Sequence, residues 1–349
     1  MGQLFTLACP VPLPATERVL LGHGSGGRLS ADLLRDVFFK AFRSPILAQL
    51  EDQATLDVGG ARLAFTTDSF VVKPLFFRGG NIGSLSVHGT VNDLAMGGAQ
   101  PLYLSAGFII EEGFEFTALR AITEAMGEAA RCAGVDIVTG DTKVVEKGSG
   151  DGVFINTTGI GLVPPGLNLS AANARPGDHI LLSGTLGDHG ITILSEREGI
   201  GFDSLLESDS AALHTLVRDM LAVSMRIRCF RDPTRGGLAS TLNEIAGRSG
   251  VGMTLSEVDI PVREEVRGAC EMLGLDPLYV ANEGKLVAIV PPEDSEAVLE
   301  AMLCHPLGAN SARIGVVTEA HPGMVVIRTT FGTSRIVDML AGDQLPRIC

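Results

Sequence analysis

A stretch rich in proline and glycine, residues 164–178, divides the chain into two halves. It contains Pro164-Pro165-Gly166 and Arg175-Pro176-Gly177-Asp178, and such sequences favour turns. On both sides of it, apolar segments typical of strands alternate with segments of helical periodicity. This alternation is typical of α/β and α+β proteins. The sequence therefore predicts two mixed domains between an N-terminal extension and a flexible tail, with the boundaries 1–44, 45–165, 176–332 and 333–349.

Composition narrows the class of protein. The chain has 349 residues, which suits two domains of roughly 100–200 residues each. Hydrophobic residues make up 45% and charged residues 19%, which excludes intrinsic disorder. The net charge of -14 argues against binding to nucleic acid, because an acidic surface repels phosphate. No apolar run reaches the roughly 18 residues of a membrane span, and residues 1–14 lack the basic start of a signal peptide. We therefore expect a cytoplasmic protein.

Hydrophobic periodicity places the secondary structure. Helices are predicted over residues 30–42, 82–96, 117–132, 238–248, 263–273 and 293–302, with another after Gly190. Strands are predicted over residues 16–21, 61–74, 102–110, 135–139, 153–163, 180–183, 253–255 and 286–290. With this assignment, the conspicuous polar motifs lie at strand ends, in turns or at helix starts.

The first such motif is the glycine run Gly22-His-Gly-Ser-Gly-Gly27, which formally contains G-x-G-x-x-G. It stands between a predicted strand and a predicted helix, and Glu51 and Asp52 follow where a ribose-binding acid would stand. One interpretation is a dinucleotide-binding loop. A second is a loop whose backbone N–H groups contact phosphate, and a third is a flexible loop without a ligand. A P-loop is excluded, because no Gly-Lys-Ser/Thr follows.

Four aspartates have small or polar neighbours: Asp52, Asp68, Asp93 and Asp141. Carboxylates that converge from separate elements are what Mg²⁺ requires, and triphosphate oxygens and water fill its remaining positions. Lys143 lies two residues beyond Asp141 and would point from the same strand end. The alternative for each aspartate is a cap or a turn residue.

The second half contains two turns that precede helices. Asp188-His189 follows the strand over 180–183, and Asp232-Pro-Thr-Arg-Gly-Gly237 precedes the helix over 238–248. Backbone N–H groups at a helix start, with Arg235 beside them, would suit an anion. N-capping by Asp232 or Thr234 is the alternative.

Three further residues have two interpretations each. His189 is either a base or a structural hydrogen-bonding residue, and Glu283 is either a proton acceptor or a solvated acid. The six cysteines form no CxxC pair, which argues against a zinc site or a disulfide framework. Cys349 ends the chain, so it is either an incidental exposed cysteine or a reactive sulfur on a tether. Arg347 would favour its thiolate.

Taken in order, seven motifs carry a resemblance that spans essentially the whole chain: Gly22-His-Gly-Ser-Gly-Gly27, Thr67-Asp-Ser-Phe70, Gly89-Thr-Val-Asn-Asp93, Gly140-Asp-Thr-Lys143, Asp188-His-Gly190, Asp232-Pro-Thr-Arg-Gly-Gly237 and Pro346-Arg-Ile-Cys349. The set closely resembles the HypE family of hydrogenase maturation factors. That family belongs to the superfamily of aminoimidazole ribonucleotide synthetase, selenophosphate synthetase and thiamine-monophosphate kinase. One departure is Asn81, which stands where we expect the family to carry Asp.

The resemblance implies a two-domain, PurM-like α+β fold that binds ATP, with the N-terminal sheet forming a barrel across a homodimer. It implies that Mg²⁺ bridges the ATP phosphates to Asp52, Asp68, Asp93 and Asp141. It also implies that the glycine run forms a mobile loop that covers the phosphates. The residues expected to contact the nucleotide are Gly24, Gly26, Gly27, Asn92, Thr142, Asp188, His189 and Arg235.

The resemblance also implies a reaction. The carbamoyltransferase HypF would attach a carbamoyl group to Cys349, and ATP-dependent dehydration would convert it to a thiocyanate. Lys143 and Glu283 would remove the protons. Cyanide would then pass to iron on the HypC–HypD scaffold, for a NiFe hydrogenase. We expect the tail to alternate between an inserted and an exposed state, with ATP favouring insertion.

Three other functions stay open from the residues alone. A small-molecule kinase or synthetase of the same superfamily would not need Cys349. The hypothesis of a dinucleotide-binding oxidoreductase rests only on the glycine run. The activity of such an enzyme would not depend on Asp93 and Asp141. A non-catalytic scaffold would not consume ATP.

Overall fold

The computed structural model describes residues 18–199 and 206–342. Within these ranges the helices are α1 Gly27–Leu33, α2 Phe39–Phe42, α3 Ile82–Met96, α4 Phe116–Ala133, α5 Asp188–Glu198, α6 His214–Val223, α7 Gly237–Ser249, α8 Glu264–Leu273 and α9 Pro292–Cys304. A π-helical segment, Leu34–Phe38, joins α1 to α2. The strands are β1 Ala54–Val58, β2 Ala61–Phe70, β3 Phe76–Phe77, β4 Gly80–Asn81, β5 Gln100–Glu111, β6 Asp136–Val145, β7 Val153–Leu162, β8 His179–Leu182, β9 Cys229–Arg231, β10 Gly252–Ser256, β11 Val287–Val290, β12 Ala312–Thr318, β13 Val325–Arg328 and β14 Ser334–Val337.

The N-terminal half is built on a five-stranded sheet with the order β1-β2-β7-β5-β6. All neighbours are antiparallel except β5 and β6, which run parallel and are connected through α4. One face of the sheet is covered by α3 and α4, and Leu104 and Ile155 lie buried beneath them. Among residues 18–199 and 206–342, no element covers the other face of the sheet, and no further strand pairs with the edge strand β6.

Helix α3 is buried almost all round, and its start depends on Asn81. The Asn81 side-chain oxygen accepts hydrogen bonds from Gly83 N at 2.8 Å and Ser84 N at 3.3 Å. Ser84 Oγ in turn lies 3.1 Å from the Asn81 backbone N–H, which completes a capping box. Asn and Asp serve equally well as N-caps. The departure from the family pattern at this position therefore leaves the helix start intact.

The C-terminal half contains a seven-stranded mixed sheet with the order β14-β13-β10-β12-β8-β11-β9. One apolar cluster lies under α7 and includes Leu242, Ile289 and Ile327. A second cluster on the opposite face joins Leu94 of α3 to Met302 of α9, so the two halves share a core. The relative placement of the halves is fixed by this shared burial.

Most predicted elements are present, and the helix over 82–96 is confirmed residue for residue. The strand predicted over 16–21 is wrong for its described part, because Leu21–Gly24 forms a 3₁₀ turn. The predicted tail from residue 333 begins with a strand instead, since β14 pairs antiparallel with β13. A strand of four residues is too short for an alternation of apolar and polar side chains to be recognised in the sequence. Cys349 lies outside the described residues.

None of the helices in the described ranges has the length and hydrophobicity that crossing a bilayer demands.

Replacing Asn81 with Ala should lower the free energy of unfolding by about 0.5–2 kcal/mol, because two N–H groups at a buried helix start lose their acceptor. Asn81→Asp is the matched control and should unfold at nearly the wild-type denaturant concentration. Chemical denaturation followed by circular dichroism measures both. An alanine variant as stable as wild type would contradict the capping role.

Candidate active site

A polar cavity of about 210 Å³ lies where the two halves meet. Its lining residues come from the loop before β1, from β2 and α3, from the loop after β9 and from the loop before β11. They are Asp52, Thr67, Asp68, Gly89, Asp93, Asp232, Thr234, Arg235 and Glu283. Five of these nine residues are acidic. The structure therefore brings together three of the four predicted metal ligands.

The packing of α3 against β2 places Asp93 beside Asp68. Thr66 of β2 donates a hydrogen bond from Oγ1 to Asp93 Oδ2 at 2.8 Å. Gly89 permits this close approach, because a Cβ there would lie 2.8 Å from the ring of Phe70. Without a side chain at position 89, the helix and the strand can approach closely enough for both carboxyls to line one cavity.

Two arginines neutralise part of this acidic cluster. The Arg231 guanidinium is buried and forms an ion pair with Asp52. Arg235 Nη2 lies 3.3 Å from Asp68 Oδ1. Within the described residues, no ion pair reaches Asp93, Asp232 or Glu283. The cavity thus holds more carboxyl groups than cations.

Burial and mutual repulsion raise the pKa values of the remaining acids. Burial raises the pKa of Asp93 well above its usual range, and the neighbouring Asp232 and Asp68 raise it further. Burial, followed by the charge of Asp52, raises the pKa of Asp232 to about 8. Burial, followed by the charge of Asp232, also raises the pKa of Glu283 well above normal. Without a cation, these carboxyls retain protons that a bound cation would displace.

The chemistry of the donors fits Mg²⁺. Carboxylate oxygens are its usual protein ligands, and it commonly takes only one or two of them beside phosphate oxygens and water. In the described ranges, no three His, Cys, Asp or Glu side chains are close enough together to hold a metal by themselves. Such an open arrangement suits a metal–nucleotide complex, whose phosphates supply the missing ligands.

Asn92 supports the loops around the cavity, and its predicted nucleotide contact stays a prediction. Its side chain is buried, and Nδ2 donates to the backbone oxygens of Glu283 at 3.1 Å and Ala211 at 3.0 Å. Its Oδ1 accepts from Leu213 N at 2.8 Å. Because both amide hydrogens are used, Asn92 holds the loop that carries Glu283.

Asp188 and His189 do not line the 210 Å³ cavity, and their predicted nucleotide contact stays a prediction. Both are buried in the first turn of α5. His189 Nδ1 lies 2.8 Å from Ser208 Oγ, and its ring packs edge-on against Phe77. Asp188 lines a separate polar cavity of about 290 Å³. The structural interpretation of His189 fits these contacts better than a role as base.

Asp141, Thr142 and Lys143 lie far from the cavity of their own chain. They belong to the edge strand β6, three strands from β2, which corresponds to roughly 14 Å at about 4.8 Å per strand. Strand register places Gly140 in one row with Asp68, so Asp141 points to the opposite face of the sheet. There its carboxylate pairs with Lys143 Nζ at 2.7 Å.

The glycine run lies at the edge of the cavity. Arg235 Nη1 donates to Gly24 O at 3.3 Å. Gly26 has a φ of +74°, and a Cβ there would lie 2.8 Å from Arg235 O. Among the described residues, no strand precedes the run and the first sheet strand begins at Ala54. The dinucleotide-loop interpretation is therefore wrong, because that loop must connect a sheet strand to a helix.

Sequence reasoning treated Asp232 only as an N-cap, although its side chain lines the cavity. The signal was available, because Asp232 follows a short buried strand as a polar residue beside Thr234 and Arg235. Thr67 and Gly89 also line the cavity, although in the sequence they are only the first residues of two motifs.

Comparison with known proteins shows the family to which the chain belongs. Residues 50–163 match the family described as AIR synthase related protein, N-terminal domain, and residues 175–327 match its C-terminal domain. The chain is 62% identical over 327 residues to carbamoyl dehydratase HypE of Azotobacter vinelandii, covering 94% of this chain and 96% of the relative. The chain belongs to the HypE family of carbamoyl dehydratases. The resemblance drawn from the motifs is thereby confirmed.

Solved structures of the HypE family share the fold. A HypE structure in complex with ATP is 52% identical, with a TM-score of 0.81, and covers 95% of this chain and 100% of that chain. HypE in a HypE–HypF complex is 50% identical, with a TM-score of 0.84, and covers 88% of this chain and 99% of that chain. The two-domain α+β prediction is confirmed at this level.

Because the pKa of Asp232 is raised, the free energy of unfolding should depend on pH when no divalent cation is present. Its folded pKa of about 8 lies above the value of about 3.9 in unfolded chains, so folding favours the protonated form. Its stabilising contribution is complete below pH 4 and is lost as the pH rises through 8. Denaturant titrations in EDTA should therefore show lower stability at pH 9 than at pH 6. Asp232→Asn should reduce this loss, and an equal loss in both proteins would contradict the assignment.

Proposed function

We propose that this protein uses ATP to dehydrate a carbamoyl group carried on its own Cys349, which gives a thiocyanate. The observation that carries the proposal is the excess of carboxyls over cations among the described residues of the cavity between the halves. Such a site fits a magnesium–nucleotide complex, and the family relationship supplies the reaction. The cyanide group would serve the iron centre of a NiFe hydrogenase.

The described residues divide the work of binding. Asp68, Asp93 and Asp232 would hold Mg²⁺. Asp52 lies beside them and forms an ion pair with Arg231. Mg²⁺, when bound, neutralises charge on the polyphosphate and favours transfer of its terminal phosphoryl group. The glycine run would cover the phosphates with backbone N–H groups, and Arg235 lies between that run and Asp68.

The chemistry requires an oxygen atom and two protons to leave the carbamoyl group. In S–C(=O)–NH₂ the oxygen is a poor leaving group, and phosphorylation turns it into phosphate. Loss of phosphate and two N–H protons leaves S–C≡N, while ATP becomes ADP. The oxygen removed ends up in inorganic phosphate, so the atoms balance.

Glu283 is the base that the cavity offers. It lines the cavity and is buried, and its Oε1 has no hydrogen-bond partner among the described residues. A raised pKa makes a carboxylate a stronger base, and a nearby metal ion would lower that pKa toward the working range. The amide of Asn92 keeps the Glu283 backbone in place.

A homodimer would complete this site. The uncovered face of the N-terminal sheet exposes between 38% and 48% of four large apolar side chains: Phe65, Tyr103, Ile160 and Leu162. Register places Phe65, Ile160 and Tyr103 in one row across the sheet. Closing two such sheets into a barrel would bury this patch and pair the open edge at β6. Asp141, Thr142 and Lys143 of the partner subunit would then complete the cavity.

Two partners follow from the reaction. A carbamoyltransferase must load Cys349, and the solved structure of a HypE–HypF complex supports HypF in that role. The product must reach iron, for which we propose a HypC–HypD scaffold. Each partner needs access to the tail beyond the described residues.

Intact-mass analysis tests the reaction. With HypF, carbamoyl phosphate and ATP, the protein should gain one carbamoyl mass and then lose one water, with both changes confined to Cys349. Cys349→Ala should show neither change and still bind ATP, because Cys349 carries the substrate and not the nucleotide. Modification of an internal cysteine, or an adduct that never loses water, would contradict the proposal.

Mixing two inactive variants tests the shared site. Glu283→Gln and Lys143→Met should each reduce dehydration about 10²–10⁴-fold, since each removes a side chain proposed to take part in proton transfer. Random mixing should restore about a quarter of wild-type activity, because half of the dimers are mixed and each mixed dimer holds one complete cavity. If both residues acted within one chain, mixing would restore nothing.

A further inference from the structure

The start of the C-terminal tail is attached to the glycine run. We call residues 338–340, which follow β14, the tail root. Arg28 N donates a hydrogen bond to Leu340 O at 3.0 Å. The Arg28 guanidinium also pairs with the carboxylate of Asp338 at 3.1 Å. Two successive parts of the tail root thus contact the residue that directly follows the run.

Gly27 makes this attachment possible. Its φ is +77°, and a Cβ there would lie 2.4 Å from Leu340 O and 3.0 Å from Leu340 Cβ. Any side chain would therefore push the tail root away and also strain the backbone. The requirement for glycine at this position comes from the tail and not from phosphate alone.

The opposite side of the run contacts the cavity. A Cβ at Gly26 would lie 2.8 Å from Arg235 O, and Arg235 donates both to Gly24 O and to Asp68, each at 3.3 Å. A continuous series of contacts therefore leads from a cavity carboxylate through Arg235 and the glycine run to Leu340. The run lies between the nucleotide site and the tail root.

The C-terminal half holds the tail root from its other side. Asn243 Nδ2 donates to Val337 O at 2.9 Å, and the Tyr279 hydroxyl donates to Asp338 O at 2.9 Å. Beyond Gly342 the chain has seven more residues, which span at most about 25 Å. Leu340 also lies near Gly236, directly after the cavity residue Arg235. The arm that carries Cys349 therefore starts beside the cavity of its own chain.

We propose that Gly27 and Arg28 are positioning residues for the substrate arm: they fasten the tail root to the loop that covers the nucleotide. Closure of the run over ATP and insertion of Cys349 are then one movement. This inference rests on the proposed function. The ion pair is partly exposed, with side-chain exposures of 34% and 65%, so it contributes little by itself. The close approach at Gly27 and the backbone hydrogen bond carry most of the coupling.

Single-turnover dehydration of the carbamoylated full-length protein tests this role. Gly27→Ala should slow loss of water at least tenfold at saturating Mg-ATP, while loading by HypF is retained. Gly342→Ala is the matched control in the same tail, because an added Cβ there meets no atom within 4 Å. It should dehydrate at the wild-type rate.

Hydrogen exchange gives a readout that simple destabilisation would not produce. In wild type, Mg-ATP should protect the backbone amides of residues 24–30 and 338–342 together. In Gly27→Ala it should protect only the first segment. Should Gly27→Ala fail to fold, Arg28→Asp should slow dehydration severalfold, and adding Asp338→Arg should restore the rate by re-forming the pair.

The failure of this inference is distinct from the failure of the proposed function. If wild type forms the thiocyanate and both Gly27→Ala and Arg28→Asp do so at its rate, the anchoring role is overturned and the reaction stands. Protection of residues 24–30 without residues 338–342 in wild type would also overturn it. If wild type itself never dehydrates its carbamoyl adduct, the proposed function fails.

Discussion

The excess of partly buried carboxyls over cations in one cavity is the constraint on which the rest of the structure depends. Five acids line the space, and Arg231 and Arg235 offset two of them. Burying like charges is unfavourable unless protons or a cation compensate. The surrounding residues are packed and keep the cavity in shape. A bound ligand would offset the free-energy cost of placing these carboxyls close together. A divalent cation has the sign that offsets these carboxyls, and it would also bridge them to the phosphates of a nucleotide.

The fold supplies that packing from both halves of the chain. Helix α3 carries Asp93 and is buried between the N-terminal sheet and the core that it shares with α6 and α9. The C-terminal half delivers Asp232 and Glu283 on loops beside β9 and β11. The cavity therefore forms only when the halves dock, and Asn92 links them by bonding the loops at Ala211 and Glu283.

Periodicity predicted the elements of the site well, but not which side chains share a surface. The predicted bounds of helix α3 agree with the structure to the last residue. Asp68 and Asp93 converge as predicted, since a helix packed on a strand is a local arrangement. Asp141 does not, because strand order and the alternation of side chains place it on the opposite face of the sheet.

Other differences have equally specific causes. Asp188 and His189 look like a ligand motif in sequence, yet the first turn of α5 points them into the protein interior. Asp232 is an aspartate like the predicted ligands, but from the sequence alone a role as N-cap is an equally good explanation. Only its neighbours in the folded structure show that it lines the cavity. The contact between Gly27 and Leu340 spans more than three hundred positions in the sequence. No local pattern predicts a contact of that separation.

The central claim is that the cavity between the halves binds the metal–nucleotide complex. Anomalous diffraction from crystals of the protein with Mn-ATP tests it most directly, because manganese substitutes for magnesium at oxygen ligands. Binding in the cavity should give an anomalous peak within coordination distance of Asp93 and Asp232, with the phosphates beside the glycine run. A peak in the separate cavity at Asp188, or none at saturating Mn-ATP, would contradict it.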